Sequence, residues 1–171
     1  MLDGGKDYLT IYHGSTAPIE LPRIIKSGRN LDFGEGFYAT SNKLQAIRWA
    51  EIVAKRRKSD VQFITEFEFD IVAAKRELAV ITFDSPDDDW LDFVCLNRSG
   101  QMHQESYDIV IGPVANDQVY TVVALYEQGV LSKEAAIIEM KVRELYDQVL
   151  FHTEKSLNFC KYLRHSQLGG L

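Results

Sequence analysis

Tyr12-His13-Gly14-Ser15 and, further along, Asp32-Phe33-Gly34-Glu35-Gly36-Phe37-Tyr38-Ala39-Thr40 are the stretches on which the reading of this chain turns. The first closes an alternating segment. Leu9, Ile11 and His13 fall on one side of Tyr8 to His13, and Tyr8, Thr10 and Tyr12 on the other, which is the period of a β-strand. The strand ends in a polar side chain followed by glycine. Glycine lets a ligand come close to the backbone and leaves an amide and a carbonyl side by side, the pair of groups that a carboxamide needs. An ordinary strand-ending turn has the same letters. The second stretch holds Glu35 between Gly34 and Gly36 in a tight turn, followed by Phe37 and Tyr38. Those rings offer flat faces, for stacking on a ligand or for a core. The turn is not the dinucleotide fingerprint of doubly wound folds, because it lacks the third glycine and a good preceding strand.

Outward from these stretches, strands and helices alternate irregularly. Ile24 to Gly28 has the letters of a short helical turn stopped by glycine. Phe37 to Thr40 is a short strand, and Ser41 or Asn42 is placed to cap a helix carrying Ala46, Ile47, Ala50, Val53 and Ala54 on one stripe. Val61, Phe63, Thr65, Phe67 and Phe69 share one face of a strand, and Leu78 to Phe83 forms another. Asp87-Asp88-Asp89 opens a helix through Trp90, Phe93, Val94 and Asn97, where acidic residues favour the positive end of the helix dipole better than they suggest a metal site. Tyr107 to Val114 reads as a buried strand. Asn116 or Asp117 caps a helix with Val119, Val122, Val123 and Tyr126 that stops at Gly129. Ser132 starts another with Ala135, Ile138, Val142 and Leu145 in step. Val149 to Phe151 is expected as the final strand, with Leu157 to Leu163 packing after it. Without regular βαβ order, this predicts an α+β fold.

At 171 residues the chain fits one domain, 1–171, with a core of its own. No apolar run approaches the roughly 18 residues of a membrane span, and Met1 to Asp7 does not read as a secretion signal. A cytoplasmic location without membrane contact follows as the expectation. Cys95 and Cys160 lack metal spacing and read as two buried thiols; no metal site is expected. The net charge of −6 disfavours a nucleic-acid partner. Lys55-Arg56-Arg57-Lys58 is the basic exception, and at a helix C-terminus it is accounted for by the dipole as well as by a phosphate.

Taken together, the two stretches resemble the ADP-ribosyltransferases, specifically their diphtheria-toxin and poly(ADP-ribose) polymerase branch. That branch has a His-Gly-Ser-type strand end, a Phe-Gly-x-Gly-aromatic-Tyr turn, and a helix whose aromatic completes a stacking sandwich. Here these parts look like His13-Gly14-Ser15, Phe33 to Tyr38, and Trp49. The resemblance implies split mixed and antiparallel sheets around a cleft for NAD as co-substrate. In it His13 holds the nicotinamide-side ribose, Gly14 grips the carboxamide through its backbone, Ser15 is a further NAD-binding residue, and Gly36, Phe37 and Tyr38 form the turn with Tyr38 stacked on the ring. Trp49 covers the ring's other face, and Arg29 reaches the diphosphate. Residues from about 87 to 146 match nothing in the branch and read as a helical insertion.

The branch also has a late strand that begins with a catalytic glutamate. Gln148-Val149-Leu150-Phe151, followed by Ser156 to Leu163, fits its hydrophobic spacing, and Gln148 stands at the glutamate position. A glutamine keeps the hydrogen bonds of a glutamate and loses the charge that stabilises the developing oxocarbenium. Glu35, Glu66, Glu68 and Glu154 are the carboxylates considered as substitutes, each with a solvated surface reading beside it. Asp108 and Asp117 read as caps or as acid–base groups. His13, Tyr38 and Gln148 are thus the catalytic candidates. The resemblance implies mono-ADP-ribosylation of a protein or other macromolecular acceptor by a short bacterial-type protein, a toxin or effector with an antitoxin or immunity partner. NAD glycohydrolysis and non-catalytic binding of NAD or ADP-ribose are the alternatives. Transfer of phosphate from RNA to NAD needs several cations in the cleft, and the sequence offers only Arg29.

Overall fold

The computed structural model describes residues 7–26, 28, 31–100, 107–114, 117–141 and 145–169. In chain order they form β1 (Tyr8–Ser15), β2 (Phe37–Ala39), α1 (Lys43–Arg57), β3 (Gln62–Asp70), α2 (Ile71–Glu77), β4 (Val80–Thr82), α3 (Asp88–Arg98), β5 (Ile109–Pro113), α4 (Asp117–Glu127), α5 (Lys133–Lys141), β6 (Asp147–Phe151), a 3-10 turn (Glu154–Phe159) and β7 (Cys160–Leu168). The class is α+β with two sheets. One is antiparallel, in the order β1-β3-β7; the other is mixed, in the order β2-β6-β5-β4, with only β4 and β5 parallel. No helix among the described residues is long and apolar enough to cross a membrane.

The packing makes layers. Ile11, Phe67 and Phe69 of the first sheet meet Phe37, Ile109, Val149 and Phe151 of the second. The other face of the second sheet, with Val110 and Leu150, is covered by Trp90, Leu91, Val94, Val119, Val123 and Met140 from α3, α4 and α5. The outer face of the first sheet takes α1 through Ala46, Ala50 and Ile64. Each large apolar side chain fully buried this way contributes about 1.5–3 kcal/mol. Small residues on α1 let it sit close. A Cβ on Gly14 would lie 2.1 Å from the Ala46 carbonyl oxygen, so the end of β1 touches the helix backbone itself.

Local chemistry sets the element ends. Asn42 caps α1 by accepting the Gln45 N–H at 3.0 Å, and Asp87 caps α3 by accepting the Trp90 N–H at 3.0 Å. The indole N–H of buried Trp90 then donates to the Pro113 carbonyl at 3.1 Å, tying α3 to β5. Asp87 thus acts as the cap that the acidic run suggested.

Several expectations need correction. Residues 22–26 form no helical turn. Pro22 brings no N–H, Leu21 and Ile25 are exposed with no face to bury, and the Gly28 N–H donates instead to the Glu35 carboxylate at 2.7 Å. The buried face of α5 is Ala136, Ile137 and Met140, while Ile138 is exposed. Apolar residues lie on both sides of that helix, so spacing alone does not choose between them. Val61 precedes β3 and is exposed; Thr65, Phe67 and Phe69 do face inward. The chain does not end its sheets at Phe151, because β7 follows and pairs with β3 from Gln62 to Phe69. The stretch 87–146 supplies three helices and also β5, an inner strand of the second sheet that is buried throughout. Arg29, His103, Asn116 and Val142 lie outside the described residues, as does the side chain of Asp117.

Candidate functional site

Among the described residues, the backbones of the two sheets are bridged between Tyr12 and Thr40. Tyr12 N–H donates to the Thr40 carbonyl at 2.8 Å, and Thr40 N–H donates to the Tyr12 carbonyl at 3.0 Å. Beyond this pair β1 and β2 diverge, and a cleft of about 1920 Å³ opens there. The backbone of a strand sends its hydrogen-bonding groups to one edge at every second residue. Tyr12 gives both of its groups to Thr40, so Gly14 turns its N–H and C=O to that same edge. They bond no described backbone group there. A donor and an acceptor therefore face the cleft together.

His13 lies on the opposite face of β1 and is half-buried. Its Nδ1 is 2.7 Å from the Tyr38 carbonyl oxygen, and its ring stacks on Phe37 at 4.7 Å between centroids. A carbonyl only accepts, so Nδ1 carries the proton and Nε2 is left as an acceptor. Burial holds the imidazole below its ordinary pKa; the Tyr38 carbonyl opposes this and the Arg57 charge adds to it. His13 is thus a neutral hydrogen-bonding group.

The glycine turn is fixed by packing. Gly34 and Gly36 have φ of 94° and 153°, and a Cβ on Gly36 would lie 2.2 Å from the Phe151 carbonyl oxygen. Phe33 at its start is fully buried under α3, and Tyr107 donates its hydroxyl to the Phe33 carbonyl at 3.0 Å. The Tyr38 hydroxyl donates to the Gly34 carbonyl at 2.5 Å. Burial first, then the nearby Asp32 carboxylate, pushes that phenol well above its ordinary pKa. Tyr38 therefore stays protonated and offers a ring rather than a base.

Gln148 comes to the cleft from the start of β6. It is 9% exposed, and its Nε2 has no hydrogen-bond partner among the described residues. A buried amide left without a partner costs about 1–3 kcal/mol, and protein interiors rarely tolerate one without use. Trp49, 43% exposed, stands over the cleft from α1 with the Arg56 guanidinium 5.5 Å from its ring. His13, Gly14, Ser15, Gly36, Phe37, Tyr38, Trp49 and Gln148, drawn from β1, the glycine turn, α1 and β6, all line this one cleft. Phe37 and Gly36 have packing roles besides, Phe37 in the core between the sheets.

The substitute carboxylates do not meet there. Glu35 is held on Gly28, Glu154 is exposed at the head of the 3-10 turn, and neither they nor Glu66 and Glu68 line the cleft. Glu66 is not a surface group. It is buried beneath α1, with Lys43 at 3.0 Å and Arg164 at 2.8 Å. Asp108 is neither a cap nor an acid–base group in the cleft. It accepts from Ala79 N–H at 3.0 Å and Thr153 hydroxyl at 2.8 Å and pairs with Lys155 at 3.1 Å, which clamps β5 to the turns beside it.

Sequence reasoning missed other lining groups. Asp32 lines the cleft and is paired with Arg98 at 2.7 Å; Asp147 lines it too, accepting from the Ser41 hydroxyl at 2.8 Å and the Thr40 hydroxyl at 3.2 Å. Asp147 stands directly before Gln148, a neighbour that the search for a charge among glutamates passed over. Arg48, Arg56 and Arg57 line it from α1. The signal for them was available: 45, 48, 49, 52, 53, 56 and 57 repeat at three and four residues, one face of a helix whose other face carries the buried alanines.

Neither the curated proteins nor the solved structures contain a match. The model of one family matches residues 9–162, which runs from β1 to the start of β7 and takes in every described cleft residue named above. The chain belongs to that family, whose description is protein of unknown function (DUF3990).

Proposed function

We propose that this protein transfers ADP-ribose from NAD to a macromolecular acceptor, with the fold and cleft of an ADP-ribosyltransferase. One observation carries the reading. The outward-facing amide and carbonyl of Gly14 and the buried, unpartnered amide of Gln148 open onto a single cleft. The first pair suits a carboxamide in plane, N–H to its oxygen and C=O to its nitrogen. The second suits a ribose hydroxyl. His13 Nε2, held by the bond from Nδ1 to Tyr38, accepts from a ribose hydroxyl. Tyr38 and Trp49 offer rings to the nicotinamide. In the reaction the bond between nicotinamide nitrogen and ribose C1′ breaks and its electron pair leaves with nicotinamide. The acceptor nucleophile bonds to C1′ and gives up its proton. The cleft, at about 1920 Å³, exceeds the ~300–1,000 Å³ of a usual small-molecule pocket. That leaves room for an acceptor side chain beside the dinucleotide.

Gln148 itself favours a second reading, a module that binds NAD without cleaving it, since the side chain brings no charge to the developing cation. Arginines in the cleft meet the need for cations of phosphate transfer from RNA, but a net charge of −6 speaks against an RNA substrate. Single-turnover release of nicotinamide from NAD by the purified protein separates transfer from mere binding. Release well above the uncatalysed rate supports the enzyme. NAD binding with background release leaves the binding module, and no NAD binding at all removes both.

A further inference from the structure

Lys55-Arg56-Arg57-Lys58 ends α1, and helix-end electrostatics account for any cation there. The structure divides the four. Arg56 and Arg57 line the cleft, whereas Lys55 and Lys58 do not. Arg57 is steadied by a bond from its guanidinium to the Thr16 hydroxyl at 3.1 Å, just past the end of β1. Arg56 lies over the Trp49 ring at 5.5 Å. Both belong to the α1 stripe that includes Trp49, and the helix is locked in rotation by Ala46, Ala50 and Ala54 on its other side. The two side chains are already neighbours, so what is attached to a ring held at Trp49 comes within reach of the Arg56 guanidinium. The field of Arg57 also reaches His13 on β1.

From this we infer that Arg56 and Arg57, with Thr16, form the diphosphate-binding arm of the cleft. The inference rests on the proposed use of NAD for the identity of the ligand, but not for the chemistry of the arm. Planar guanidinium groups with several N–H donors match phosphate oxygens and form charge-assisted bonds with them. The Arg57 guanidinium is already oriented by Thr16, so less side-chain freedom is lost on binding than for a loose surface arginine. The arm takes a nucleoside diphosphate by its phosphates, and the aromatic wall beside it holds the ring attached to them.

The test uses the full chain and two probes, ADP and nicotinamide, with affinities measured by calorimetry. Arg56→Ala/Arg57→Ala should weaken ADP binding about tenfold or more, and Lys55→Ala/Lys58→Ala should leave it within about twofold. The ADP affinity of the wild type should fall with added salt more steeply than that of the arginine variant. Wild-type protein that does not bind ADP would overturn the inference. So would an arginine variant with wild-type ADP affinity, or equal losses in the arginine and lysine variants. Nicotinamide reports on the parent reading separately. ADP binding that depends on the two arginines, without any nicotinamide binding, keeps the diphosphate arm and removes the nicotinamide pocket.

Discussion

A methyl group on residue 14 would stand 2.1 Å from the Ala46 carbonyl oxygen and 2.8 Å from the Ala50 nitrogen. Gly14→Ala therefore has to push α1 off β1, at a cost of about 1–3 kcal/mol. Urea unfolding checks it, and an unchanged midpoint would show that the close approach is not needed. The residue read from sequence as a ligand contact thus has a packing duty as well. The sequence could not show that duty, because it depends on which helix crosses the strand. His13→Ala and Tyr38→Ala remove a ribose acceptor and a stacking ring, and each should weaken NAD binding by about 1–3 kcal/mol. Unchanged affinity in both would refute the pocket. Gln148→Glu places a charge where the amide now lies without a partner. Nicotinamide release should rise on the order of tenfold or more; a flat or slower rate would mean that Gln148 does not face the reacting ribose.

Among the elements, α1 was the most legible and the most misread. Its cap, its buried alanines and its basic last turn follow from spacing and from the preference of Asn42 for a helix start. Its second stripe repeats as regularly, but a polar and aromatic face reads as solvated until a cleft is seen beside it. The strands were legible where alternation was strong, as in β1 and β3; that β3 is covered on both faces, by α1 and by the second sheet, was not. β7 alternates poorly and is largely exposed, so its pairing with β3 left no period to find. The Asp108 clamp between β5 and the turn after β6 was invisible, since its partners Ala79, Thr153 and Lys155 are far apart in sequence. Burial works against its charge, but the bonds from Thr153, Ala79 and Lys155 outweigh it and hold the carboxyl below its ordinary pKa. A carboxyl lowered on folding stabilises the fold above the ordinary carboxylate range, and that stability is lost as pH falls through the folded-state value. Asp108→Asn should therefore cost about 1–3 kcal/mol at pH 7 and flatten the loss of stability below pH ~4. Denaturation midpoints against pH decide it. An acid limb as steep in the variant as in the wild type would assign that limb to other carboxylates.

For the whole molecule, the decisive feature is the backbone bridge between Tyr12 and Thr40 that joins two sheets and lets them part beyond it. The α+β class was readable from irregular element order. The division into β1-β3-β7 and β2-β6-β5-β4 was not, because strand order depends on long-range pairing that local spacing does not encode. The site was legible in its chain-local motifs, His13-Gly14-Ser15 and the glycine turn, and the cleft unites these with Trp49 and Gln148. What remained hidden was which charges join them: Asp147 and Asp32 in place of the glutamates, and the arginines of α1. Transfer of ADP-ribose is tested most directly with adenine-labelled NAD incubated with the purified protein and a cell lysate. Label should become covalently attached to a macromolecule, resist denaturing wash, and vanish with His13→Ala. Lysate that acquires no label above a protein-free control, while the same protein binds NAD, would contradict transfer and leave only binding or hydrolysis.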